Sequence, residues 1–277
     1  MAADVEDTDY IELLNASFNE FTVSLREAVR ISDAREDIYH TGRQRRVLSV
    51  FSKTILHSMT LESITANAVR SGTGLLDHFT AGTIARSIID ASLMTMYLSE
   101  PSLSYPAWQL RREVLHLHEL TNRKRFLEPS AKAAGADNPK APFFDTYENE
   151  KQASRSRIVG YCQALGIDPE RTTKLQEGQW VYTDGGRGAA REAGWDLTIH
   201  EFEQSYFSAY VHSHPVSFMK MDEQEISWTH PSPFQRNFVS LVLSSASTYL
   251  DRSNARVEMF TGEESRDPLA IHFREAQ

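Results

Sequence analysis

The sequence predicts an all-α protein, an up-and-down helical bundle with additional helices and two long loops. Three observations predict it. Apolar residues recur at steps of three and four through most of the chain. No stretch alternates apolar and polar residues with period two, and no Asn-Gly pair marks a hairpin. Short connections early in the chain place successive helices as antiparallel neighbours.

The first helix is expected over residues 10–29, where Tyr10, Leu13, Leu14, Phe18, Phe21, Leu25 and Val29 share one face. A charged stretch ending in Thr41-Gly-Arg-Gln-Arg-Arg46 separates it from a second helix over 47–68. Ser71-Gly-Thr-Gly74 breaks that helix. The third, over 76–98, is apolar nearly all round and belongs at the centre of a bundle. Pro101 and Pro106 punctuate its end, and a fourth helix over 107–126 is amphipathic and rich in Arg and His. Residues 129–142 carry three prolines and read as a surface loop. A fifth helix over 147–165 stops at Gly166 and Asp168-Pro169. Residues 178–194 form the second long loop, with a short helix after Gly188. A helix over 200–211 ends at His212-Ser-His-Pro215, and Pro231-Ser-Pro233 precedes the last, over 234–250. A polar tail fills 251–277, so one helical domain with its core over about 10–250 is expected.

The 277 residues, 40% hydrophobic and 24% charged, suffice for a large core. A net charge of −9 gives no long-range pull toward nucleic acid or anionic membrane, although a local basic patch would still accept RNA. The single Cys162 forbids an internal disulfide and fits a reducing, cytoplasmic setting. The acidic N-terminus lacks the basic and apolar regions of a secretory signal. Residues 79–98, the most apolar segment, contain Arg86 and Asp90, so no membrane span is expected.

Three constellations carry chemistry. Arg86 and Asp90 lie one helical turn apart amid Ile84, Ile88, Ile89 and Leu93, which predicts an at least partly buried pair that locks register or walls a polar pocket. His212 and His214, with Tyr206, Ser208 and Tyr210 before them, offer either a helix end, two metal ligands or an acid/base. Arg111, Arg112, His116 and His118 fall on neighbouring turns of the fourth helix. Gly185-Gly-Arg-Gly188 lacks the Lys-Ser/Thr of a phosphate loop and reads as a flexible turn.

The spacing from Arg111 to His116 and from Arg112 to His118 resembles the Arg-x4–6-His signature of HEPN ribonucleases, themselves small helical bundles. That resemblance implies metal-independent RNA cleavage, with His moving the proton and Arg stabilising charge on phosphate. His212-Ser-His-Pro215 is similar to the tetrapeptide of JAMM metalloproteases. Here Glu223 and Ile226 stand where that family has Ser and Asp, and the segment reads as helix rather than strand. Ala85-Arg-Ser-Ile-Ile-Asp90, Ala189-Ala-Arg-Glu-Ala-Gly-Trp195 and Tyr206-x-Ser208-x-x-x-His212 together resemble the mainly bacterial domain-of-unknown-function 5677 family, over about residues 45–250. That resemblance implies an all-helical fold and a pocket joining Arg86, Asp90 and His212, and supplies no activity.

Three functional expectations follow. The first is an enzyme or effector, most concretely a ribonuclease, with Arg86, Asp90 and His212 in one interior site and Arg112, His116 or His118 beside it. Tyr206, Ser208 and Tyr210 would contact an RNA or small-molecule substrate. The second is a non-catalytic helical binding or scaffold protein. The third is a hydrolase holding a metal on His212 and His214 with Asp222 or Glu223. The first two need no cofactor, and a homodimer is expected on general grounds.

Overall fold

The computed structural model describes residues 2–38, 40–135 and 142–262. Nine α-helices follow one another among them: α1 Ala2–Asp33, α2 Gly42–Ser71, α3 His78–Leu98, α4 Tyr105–Ala133, α5 Pro142–Ala164, α6 Pro169–Leu175, α7 Gly185–Glu192, α8 Leu197–Val211 and α9 Pro233–Thr261. No strand occurs among the described residues. The all-α class is therefore the fold of this chain.

Where one domain was expected, the described residues group into two compact units, one of residues 2–101 with 195–262, the other of residues 102–194. In the first unit, α3 packs against α2, α8 and α9, as its all-round apolarity requires, and α1 lies along α9. Phe51, Ile88, Ile89, Leu93, Val239, Val242 and Leu243 are sealed from solvent there. In the second unit, α4 packs on α5 and α5 on α6. Its core gathers Leu110, Val114, Leu117, Ile158, Cys162 and Leu175.

Local chemistry moves several helix ends beyond their expected positions. The charged run before residue 47 is the first turn of α2, because Thr41 and Gln44 form a capping box. Arg43 in that turn is buried and donates to the carbonyls of Leu98 and Glu100. The proline-rich stretch is not a loop from its start, since α4 continues through Pro129 to Ala133. Residues 136–141 of that expected loop lie outside the described residues. α5 ends at Ala164, just before left-handed Gly166, and Asp168-Pro169 starts α6, with Asp168 accepting from the Arg171 N–H. The glycine-rich run forms the first turn of α7 rather than a flexible turn. A Cβ on Gly188 would meet the Asp184 side chain at 2.4 Å, so glycine lets this turn close. The polar tail yields eleven residues to α9, because Ser253, Asn254, Val257 and Phe260 continue its buried face. Residues 263–277 lie outside the described residues.

Candidate functional site

The side chains that meet around Arg86 lie on α3, α8 and α9 of the first unit. Asp196 caps α8 by accepting from the N–H groups of Thr198 and Ile199. Helical spacing then puts His200, Glu203, Phe207 and Tyr210 on the buried face of α8. Gly82 on α3 faces Tyr210 and Phe238, and Arg86 one turn later reaches Ser208. Later positions on α3 thus meet earlier positions on α8, and the two helices run antiparallel.

Arg86 pairs with Asp90, and its Nε donates to Ser208 Oγ at 3.0 Å. The expected one-turn pair exists, with Arg86 mostly buried and Asp90 half in water. The Arg86 side chain is 20% exposed and that of Asp90 is 53% exposed. Position 90 points out of a helix whose other sides face α2, α8 and α9, so the carboxylate keeps much of its water.

A buried imidazole on α8, that of His200, lies within reach of this pair's charges. Both Arg86 and Asp90 act electrostatically on His200, which is 2% exposed. Burial, followed by the Arg86 charge, holds the His200 pKa below the ordinary histidine value. His212 caps the C-terminal end of α8 and is exposed. Because the helices are antiparallel, moving from Arg86 to Asp90 moves away from His212. His212 follows Ser208, the residue that Arg86 bonds, by one turn of α8.

Behind His200 lies a polar network that the sequence reading missed. Buried Glu203 accepts from Tyr249 Oη at 2.6 Å and from Ser245 Oγ. Burial and then the Glu203 bond push the Tyr249 hydroxyl pKa upward. Trp195 stacks edge-on against His200 and Tyr249, with ring centroids 5.2 and 4.7 Å away. Asp196 before an apolar helical run was the available signal for this helix start. The choice of α9 as the partner of Glu203 had no signal in local spacing.

Tyr206 and Tyr210, expected as substrate contacts, belong to an aromatic cluster in which Tyr210 is buried and Tyr206 half-buried. Tyr206 stacks on Phe202 at 5.5 Å, and Tyr210 lies 4.5 Å from Phe238. Burial, with a hydrogen bond to Tyr206, pushes the Tyr210 hydroxyl pKa up. His214 is exposed beside His212, ring centroids 5.9 Å apart. Among the described residues, no group of three or more His, Cys, Asp or Glu side chains is arranged to hold a metal ion.

The Arg and His residues of α4 belong to the second unit. Arg111 is buried and pairs with Glu192 on α7. Arg112 pairs with buried Glu113, which also receives Arg157 at 2.9 Å and Ser154 Oγ at 3.2 Å. His118 is half-buried, its carbonyl accepts from Asn122 at 2.9 Å, and burial lowers its pKa. His116 is half-buried, one turn from Arg112. Elsewhere in this unit, Asp184 and Gly185 help line a cavity of about 290 Å³ with Arg171, Lys174 and Trp180. Arg171 pairs with Asp184 and Lys174 with Glu170, so both cations at that cavity are already paired, and Asp168 adds a further carboxylate to its lining.

Among the described residues no helix is long and apolar enough to cross a membrane. Compared with family models, with curated proteins and with solved structures, the chain matches none.

Proposed function

We propose that this chain is a non-catalytic helical binding protein. In this reading the Arg86–Asp90–Ser208 contact locks the register of α3 against α8, and the surface of α8 with the segment after it engages a partner. One observation carries the reading. Of the sixteen exposed large apolar side chains among the described residues, seven fall between positions 199 and 228: Ile199, Phe202, Val211, Val216, Phe218, Met219 and Trp228. Such a concentration of exposed apolar groups is the signature of a contact surface. The polar groups that catalysis would recruit are, by contrast, engaged internally, as Arg86 is with Asp90 and Ser208, or sit on an open turn, as His212 does.

Membership of the domain-of-unknown-function 5677 family is proposed alongside. It is supported by the meeting of Arg86 and Ser208, two of the residues that carry the resemblance. A cytoplasmic location goes with this reading, since Cys162 is a free, buried thiol.

A second reading keeps HEPN-like RNA cleavage. It is favoured by Arg112 and His118, a pair with the signature's spacing on α4, both partly open to solvent. Incubating the purified protein with total RNA separates the two. The binding reading expects no cleavage by wild type. Cleavage that is lost in Arg112→Ala, His116→Ala or His118→Ala overturns it in favour of the second. Cleavage that is lost only in His212→Ala overturns both. Elemental analysis after metal-supplemented expression tests the metal-hydrolase idea, and a stoichiometric transition metal lost in His212→Ala would revive it.

A further inference from the structure

Resting on the binding reading above, we infer that the exposed face of α8 and the segment after it takes a basic amphipathic segment of another protein. Ile199 and Phe202 project from α8 at helical spacing, and Phe202 lies flat on Tyr206 with the rings 16° apart. Past the end of α8, Met219 is 73% exposed and Trp228 is 61% exposed. Aromatic rings and methionine are the side chains most used as contact anchors, the first for area and the second for adaptability.

The same stretch is acidic. Residues 196–232 contain six carboxylate residues against Lys220 as the one lysine or arginine. Five of the six, Asp196, Glu201, Asp222, Glu223 and Glu225, are exposed. Lys220 itself is held 3.4 Å from Glu223. This short run therefore supplies more than half of the chain's net charge of −9.

The charge decides between occupants. A two-fold dimer through this face would set its carboxylates against their own copies, which repel. Nucleic acid and anionic membrane are excluded by the same sign. A protein segment with apolar anchors flanked by Lys or Arg complements both properties. The surface is also prearranged. The Gly74 N–H donates to the Thr229 carbonyl at 2.6 Å, Ser232 Oγ to the Gln224 carbonyl at 2.9 Å, and His214 N–H to the Ala209 carbonyl at 2.9 Å. Little ordering is left for the moment of binding.

The experiment uses the full chain and two fluorescent helical peptides of about five turns. They have the same Leu content, and one carries Lys where the other carries Glu. Anisotropy is expected to show saturable binding of the Lys peptide only. Phe202→Glu and the double variant Met219→Glu/Trp228→Ser should each weaken it at least tenfold. The triple variant Asp222→Asn/Glu223→Gln/Glu225→Gln should weaken it less, and remove most of the difference between about 0.05 M and about 0.5 M salt. All these positions are exposed, and circular dichroism checks that the fold is retained. Equal binding of the Glu peptide overturns the basic partner and leaves the binding reading standing. No binding of either peptide overturns the inference. So does a dimer in sedimentation that Phe202→Glu dissociates, because the occupant is then a second copy. Binding to phosphatidylserine vesicles in place of the Lys peptide overturns it too. Failure of the binding reading itself shows separately, as RNA cleavage.

Discussion

His78 is 1% exposed and ringed by Phe79, Tyr210, Phe234 and Phe238, with centroids 3.9 to 6.3 Å away. Burial drives its pKa down to about 4, against a smaller opposing pull from Asp77. The folded chain therefore keeps this imidazole neutral, while the unfolded chain protonates it below a pH of about 6.5. The stability it contributes is complete above that value and is lost as pH falls toward about 4. At a pH of about 4.5 the loss is about 2 to 3 kcal/mol. Urea denaturation of His78→Leu should accordingly show a drop between neutral and acid pH that is smaller than wild type by this amount. An unchanged drop would mean that the ring is solvated. Arg86→Ala is expected to cost about 1 to 2 kcal/mol, since it removes the Ser208 bond and an ion pair that is only partly buried. Asp90→Asn should cost under about 0.5 kcal/mol, because that carboxylate is half in water. Equal effects of the two substitutions in a thermal melt would remove Arg86 as the register lock.

At the scale of elements, Gly82 sets how closely α3 approaches α8 and α9. A Cβ there would sit 3.0 Å from the Tyr210 ring and 3.1 Å from that of Phe238. Helix propensity alone favours Gly82→Ala by up to about 1 kcal/mol. Both rings are buried and interlocked with Tyr206 and Phe234, so neither yields easily. Overpacking outweighs propensity, and the variant should be destabilised by about 1 kcal/mol or more, read from its melting temperature. Helix identity was legible in the sequence because the residues that decide it are three and four apart. Helix ends were less so. Thr41 with Gln44, Asp168 with Pro169, and Asp196 are all sequence signals, yet each becomes a cap only once the following run is taken as helical.

At the scale of the molecule, α9 joins the first unit along its whole length. Asn254 donates to the Ser24 carbonyl at 3.0 Å, and the Phe260 ring lies 4.8 Å beneath the Arg43 guanidinium. Truncation after Leu250 would strip Val257 and Phe260 from this core and leave buried Arg43 without its stacking partner. The truncated chain is expected to lose several kcal/mol and to become protease-sensitive within α1 and α2, measured by limited proteolysis. Wild-type protection of those helices in the truncated chain would contradict this. The sequence by itself determined the helical class, the central place of α3 and the pairing of Arg86 with Asp90, because each depends on residues within a few turns of one another. Only the tertiary structure decided that Arg86 bonds Ser208 on α8, that Glu203 meets Tyr249, and that the helices divide into two units. These depend on which distant helix lies alongside and in which direction it runs. Periodicity within one helix carries no information about either, since the same apolar stripe is satisfied by any partner that covers it.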